Sequence, residues 1–262
     1  MLRHRVSHEN PSEYRDDVAV RSEVRDRIMS IVIDRPEKRN AVDLATLKEI
    51  AVVQAAARSS GARVVVLSGA PPAFCSGADL SGVELGEFTD TLLEVLKGFG
   101  SLDAITIAAV DGPALGAGTQ LAAACDLRVA TAGSRFGVPA AKLGLAVDRW
   151  TVERVVQEVG WSGARYMLLT GESVTAESLV GGFVHRLGTL ADALAWATEL
   201  SQLAPLTIRA HKSMLEGVSS APARVVSDSD MESARLAAWN SNDATEGRRA
   251  FAEKRPPRFD GG

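Results

Sequence analysis

Two short glycine-bearing turns are the places in this chain where backbone chemistry could occur. Ala73-Phe-Cys-Ser-Gly-Ala-Asp-Leu80 follows an apolar run, and its Gly77 stands before a small residue, so the backbone can turn tightly and present N–H groups outward. Gly112-Pro-Ala-Leu-Gly-Ala-Gly118 repeats this logic at the entry to a helix, where unsatisfied N–H groups and the positive end of the macrodipole favour an anion. Each turn alone is equally well read as a plain strand-to-helix connection. Together and in this order they suggest an oxyanion hole, a pair of donors aimed at charge that develops during a reaction.

Other chemistries lose ground on spacing. Gly112, Gly116 and Gly118 do not form a G-x-G-x-x-G dinucleotide fingerprint, and the chain has neither a phosphate-binding GxxxxGK[ST] loop nor a GxSxG nucleophile elbow. The four histidines, His4, His8, His185 and His211, lie far from both turns in sequence. The two cysteines, Cys75 and Cys125, lack metal-ligand spacing, so no metal site is expected and both read as reduced thiols of a cytoplasmic protein. A net charge of −4 argues against a general nucleic-acid binder, because such binding rests on basic patches that release counterions. The apolar run Ile105–Val110 is broken by Asp111 and falls short of the ~20 residues of a membrane span.

The elements that must position the turns are legible from periodicity. Arg27–Asp34 is rich in β-branched residues and stops at Arg35-Pro36, which predicts a strand. Asp43 is placed to cap a helix over 44–58, followed by a buried strand at Val64–Leu67. A second unit repeats the pattern, with a strand at Ile105–Val110, a small-residue helix from Leu115 to Ala124 and a strand at Leu127–Ala130. Such alternation favours βαβ crossovers and a mostly parallel sheet. From Thr151 onward the pattern is helical, with segments at 152–159, 163–169, 191–203, 206–215 and 223–239 and no strong strand signal. The organisation expected is a charged, mobile tail over residues 1–24 without the apolar stretch of a secretory signal, an α/β core over 25–200 and a helical region over 201–262.

Arg35-Pro-Glu-Lys-Arg-Asn-Ala41, the two turns, Cys125-Asp-Leu-Arg128, Phe136-Gly137 and the ending Glu253-Lys-Arg-Pro-Pro-Arg-Phe259 together resemble the crotonase, or enoyl-CoA hydratase/isomerase, superfamily over roughly residues 25–260. The resemblance implies a ββα spiral core with a C-terminal helical trimerisation region, assembled as a homotrimer or a dimer of trimers. It implies a bent acyl-CoA as ligand, with no separate cofactor, whose thioester carbonyl accepts the N–H groups of Ala78 and Ala117. The CoA would lie against Ser76, Ala78, Asp79, Leu80 and Gly116, close to Ala41, with Arg39 and Lys254 meeting its phosphates; solvated surface charges are the alternative for the last two.

The same resemblance exposes a departure. The two positions where a hydratase of this family carries its working glutamates hold Gln120 and Ala140. Hydration needs one group to take a proton from water and another to deliver one to carbon, and each such group contributes about 100 to 10,000-fold. Gln120 does not ionise, and Ala140 has no polar side-chain atom. Asp148, eight residues after Ala140, matches the aspartate of dienoyl-CoA isomerases and aryl-CoA dehalogenases in this superfamily; it reads equally well as the N-cap of the helix near Thr151. Trp150 reads either as the wall of an acyl pocket or as a core tryptophan. Gly144-Leu-Ala-Val-Asp-Arg-Trp150 with the replaced glutamates most resembles an actinobacterial branch associated with carrying long acyl-CoA toward mycolic-acid synthesis. Two functions therefore stand: an acyl-CoA carrier without hydratase activity, or an isomerase or other thioester-enolate enzyme using Asp148.

Overall fold

The computed structural model describes residues 18–79, 85–217 and 228–259. Leu80, most of the expected tail and residues 223–227 of the expected last helix lie outside them. In chain order the elements are strands β1 (Val20–Arg25) and β2 (Ile28–Ile33), helix α1 (Leu44–Ser59), β3 (Val64–Gly69), α2 (Leu85–Gly100), β4 (Ile105–Val110), β5 (Pro113–Leu115), α3 (Ala117–Ala124), β6 (Leu127–Ala130), β7 (Arg135–Gly137), α4 (Arg149–Thr170), β8 (Ser173–Thr175), β9 (Arg186–Leu187), α5 (Leu190–Leu200), α6 (Pro205–Gly217), α7 (Asp228–Trp239) and α8 (Asn242–Ala252). Short 3₁₀ turns occupy Pro36–Lys38 and Pro139–Leu143.

The main sheet runs β1-β2-β3-β4-β6-β9, antiparallel between β1 and β2 and parallel from β2 onward. β5, β7 and β8 form a second, three-stranded sheet. β3 and β4 lie in the middle of the main sheet and are covered on both faces, which is why they are almost wholly apolar, with Ser68 and Thr106 as buried polar exceptions. Alternate residues serve different layers. Val65, Leu67, Ala108 and Val110 join the large core beneath α1, α2 and α3, whereas Val64, Val66, Ile105, Ile107 and Ala109 meet Ala193 and Ala197 of α5.

Two expectations need correction, and a third is borne out. The tail expected through residue 24 ends earlier, because Val20–Arg25 pairs with β2; only Val20 of that edge strand is buried, so its charged outer residues look like a tail. Two short strands, β8 and β9, interrupt the region read as purely helical. The two helices read at 152–159 and 163–169 are the two halves of α4, which meet at Gly160, whose φ of 82° and ψ of 161° break the helical backbone.

Two buried cations fasten helices to the sheet. Lys212 of α6 donates to Phe99 O and Ala104 O at 2.9 Å each and to Asp126 Oδ2 at 2.7 Å. Arg128, 1% exposed, bonds the carbonyls of Phe183, Ala122 and Cys125, pairs with Glu158 and lies over the Phe183 ring at 4.5 Å. The Cys125-Asp-Leu-Arg128 block is thus scaffold, each charge satisfied by partners as burial demands.

Candidate functional site

The first turn is held in place by the loop before α1. Asn40, fully buried with φ 56°, donates through Nδ2 to Ala70 O and Ala73 O at 2.6 Å each, and its Oδ1 accepts the Arg35 N–H at 2.8 Å. Ser76 N–H donates to Arg39 O at 3.0 Å and its hydroxyl to Lys38 O at 3.2 Å. Arg35 reaches Ala41 O at 2.5 Å and Asp43 at 2.7 Å, and Asp79 lies 3.7 Å from both Arg35 and Lys38. Burial pushes the Asp43 carboxyl up, but the N–H and hydroxyl of Thr46 and the charge of Arg35 outweigh it and hold this helix cap below its ordinary value.

The two turns are stitched together by main chain. Cys75 N–H donates to Pro113 O at 3.1 Å, and Leu115 N–H donates back to Cys75 O at 3.0 Å. Gly118 sits so close that a side chain there would begin 2.1 Å from Cys75 O, and one on Gly116 would begin 3.8 Å from the Gly77 Cα. Cys75 is sealed in this seam, and burial pushes its thiol up to about 12, so it is a packing group rather than a nucleophile.

Both candidate donors emerge at this seam. Gly77 O accepts from Val42 N–H at 2.9 Å and Asp79 N–H donates to Val42 O at 2.8 Å, so the residues on either side of Ala78 bond Val42 and the Ala78 N–H faces the opposite way. Gly116, at φ 53° and ψ −117°, turns the chain so that Ala117 opens α3, where a first-turn N–H has no intrahelical acceptor. Neither N–H donates to any described residue.

Beyond the donors the site changes character. Gln120, one turn along α3 and 6% exposed, donates through Nε2 to Thr151 Oγ1 at 2.7 Å. Thr151 Oγ1 donates to Asp148 Oδ2 at 2.7 Å, and Asp148 also accepts the Thr151 N–H at 3.1 Å as the N-cap of α4. Asp148 is half-buried and tied to the helix terminus, the simpler of its two sequence readings. Ala140 lies half-buried in the 3₁₀ turn after Phe136-Gly-Val-Pro139, which Thr119 links to α3 by accepting Gly137 N–H at 2.9 Å. Trp150 is half-buried, packs on the large core and carries the Arg154 guanidinium at 5.6 Å.

The other expected contacts are scattered. Arg39 is exposed in a left-handed conformation at the rim of the first turn. Lys254 is exposed just past α8, and among the described residues no hydrogen bond or ion pair joins it to either turn. Sequence reading missed Thr151 and the structural use of Asn40. The signal for Asn40 was available, since an asparagine after a 3₁₀ turn tolerates positive φ, but Thr151 meets Gln120 across 31 residues that no local pattern connects.

Comparison with known proteins gives this geometry its family. Residues 23–262 match the model of the enoyl-CoA hydratase/isomerase family. The chain is 41% identical over 243 residues to the probable enoyl-CoA hydratase echA6 of Mycobacterium tuberculosis (strain CDC 1551 / Oshkosh), covering 89% of this chain and 96% of that one. A carnitinyl-CoA dehydratase from Mycobacterium avium 104 superposes with a TM-score of 0.79 at 35% identity, over 93% of this chain and 99% of the other. Methylmalonyl-CoA decarboxylase shares the fold at a TM-score of 0.85 and 21% identity, over 93% and 98%. The α/β core with its C-terminal helices is the crotonase fold, and the chain belongs to the enoyl-CoA hydratase/isomerase family.

Proposed function

We propose that this protein binds a long-chain acyl-CoA thioester at the seam of the two turns and carries it within fatty-acid metabolism without hydrating it. The observation that carries this reading is the contrast at one site: two unengaged N–H groups, Ala78 and Ala117, beside a glutamine and an alanine where a hydratase needs two carboxylates. The thioester carbonyl accepts both N–H groups, each worth about 1 kcal/mol as a neutral hydrogen bond to a bound ligand. The Gln120 amide is neither acid nor base at neutral pH and takes no proton from water, so a water held there stays unactivated. The coenzyme arrives as part of the ligand, and no further cofactor is needed.

Similarity to mycobacterial proteins named probable enoyl-CoA hydratase echA6 supports the actinobacterial part of this reading, and service to mycolic-acid synthesis is part of the proposal. Exposed apolar side chains on the C-terminal helices, among them Leu206, Leu215 and Phe251, are surface that the subunit contacts of the proposed trimer or dimer of trimers would cover. Calorimetric titration with palmitoyl-CoA, paired with an absorbance assay for loss of the crotonyl-CoA double bond, tests the reading. Saturable binding without turnover is the expected result; hydration at enzyme-like rates would overturn it.

A second reading has its own observation, the Thr151 hydroxyl that joins Asp148 to Gln120. In it Asp148 shuttles a proton between carbons of an enoyl-CoA. Asp148→Asn separates the two: an isomerase loses its turnover, and a carrier shows none to lose.

A further inference from the structure

The stretch from the 3₁₀ turn at Pro139–Leu143 to the start of α4 carries two candidate site residues, Ala140 near one end and Asp148 at the other. On one side Asp148 reaches α3 through Thr151 and Gln120. On the other side the stretch is gripped by α7 and α8 of the same chain, helices that the family resemblance assigns to assembly.

α8 meets the turn backbone to backbone. A side chain on Gly144 would begin 2.5 Å from Asp243 O, and one on Gly247 would begin 2.3 Å from Leu143 O, so these two glycines let main chains touch that any other residue would push apart. Ser241 caps α8 by accepting the Ala244 N–H at 3.0 Å and so fixes the corner between the two helices. α7 holds the rest of the stretch. The Trp239 indole N–H donates to Ala146 O at 2.7 Å, a contact across 93 residues of sequence. One turn earlier, on the same face of α7, Arg235 donates to the Glu232 carboxylate at 2.6 and 2.9 Å. Glu232 first, then the charges of Asp148 and of Asp90 on α2, hold its guanidinium above the ordinary value against the opposing pull of burial, so α7 also faces Asp148 with a cation.

We infer that Trp239 is a positioning residue for acyl binding: through Ala146 O it uses the α7–α8 pair to fix the 144–148 loop, and with it Asp148 and Thr151, against α3. A bond to a main-chain carbonyl sets where the loop runs whatever side chains it bears. Without the indole N–H, Ala146 O loses this partner, the loop loosens from α7, and the row Asp148–Thr151–Gln120 loses its fixed distance from the Ala117 end of α3. The first turn, where the coenzyme is proposed to lie, is fastened separately by Asn40 and Arg35. Loosening the loop therefore weakens the hold on the acyl chain and leaves the hold on the coenzyme intact. The inference rests on the thioester-binding reading above and deepens it by giving the C-terminal helices a part in the ligand site of their own chain.

Trp239→Phe keeps an aromatic ring and removes the N–H. Calorimetric titrations of the wild type and this variant with palmitoyl-CoA and with free coenzyme A test the inference. The expected result is a palmitoyl-CoA Kd weakened about five-fold, the size of one neutral hydrogen bond, with the coenzyme A Kd unchanged. Arg235→Met loosens the same loop from the neighbouring turn of α7; it should show the same split and carries the test if Trp239→Phe fails to fold. In the wild type the Trp239 indole N–H resonance, identified by its absence from the variant, should shift with palmitoyl-CoA and stay in place with coenzyme A. An unchanged palmitoyl-CoA Kd in the variants, or equal weakening for both ligands, overturns the inference and leaves the thioester site standing. A wild type that binds neither ligand overturns both.

Discussion

The seam of the two turns and the α3–α4 contact one turn away are built from opposite materials. The seam is all main chain: its donors are peptide N–H groups, and its alignment comes from backbone hydrogen bonds and from glycines that no other residue fits. The α3–α4 contact is all side chain, with Gln120, Thr151 and Asp148 in a row and Ala140 on the neighbouring turn. The first type of site is fixed by the fold, and changing it means damaging the fold. The second can lose its acid–base groups with little structural cost, because a glutamine fills the volume of a glutamate and finds a partner in Thr151. Binding and chemistry separate easily in such a molecule, and the function proposed above is one in which the binding half is kept.

The largest effect should follow from breaking the seam. Gly118→Val places a branched side chain where Cys75 O already stands; we expect about 3 kcal/mol of destabilisation or more, read by denaturant melts, together with loss of palmitoyl-CoA binding. Next comes repair of the side-chain half. The double variant Gln120→Glu, Ala140→Glu should hydrate crotonyl-CoA at least about 100-fold faster than the wild type while still binding acyl-CoA. No gain would mean that the two halves are less separable than their construction suggests.

Asn40→Ala tests how the first turn is held. It strands two carbonyls and one N–H in a buried place, and about 2 kcal/mol of stability should go with weaker ligand binding. The smallest effect concerns pH. Asp43 has a folded-state pKa below its ordinary 3.8, so its stabilising action is complete above that value and is lost as the pH falls through the lower folded one. The advantage of wild type over Asp43→Ala, about 1 kcal/mol at neutral pH for a lost helix cap, should therefore shrink below about pH 3.8 in acid titrations followed by circular dichroism.

What the sequence announced and what it hid follow the same division. The capped helix α1, the buried strands β3 and β4 and both turns were legible because each depends on neighbours in sequence: a cap, an apolar run, a glycine at a corner. Edge strands were not. β1 carries Arg21, Glu23 and Arg25 on an exposed surface and so looks like a solvated tail, and β8 and β9 are too short to establish a period. At the site, Gln120 and Ala140 could be named as departures only through the resemblance to the family. The role of Thr151 could not, because its meaning lies in a contact between two helices.

The use of peptide N–H groups as the anchoring donors also bears on how the protein would respond to selection by an inhibitor. A compound whose carbonyl engages both Ala78 and Ala117 grips atoms that nearly every codon supplies. Only proline deletes such a donor, and at Ala117 it would leave the first turn of α3 formed while removing the grip. Escape would otherwise have to arise in the side chains that, under the proposed function, surround the acyl chain, where a change also alters the fit of the natural ligand. A drug lead that spends its contacts on the seam rather than on those side chains therefore faces the narrower set of resistance mutations.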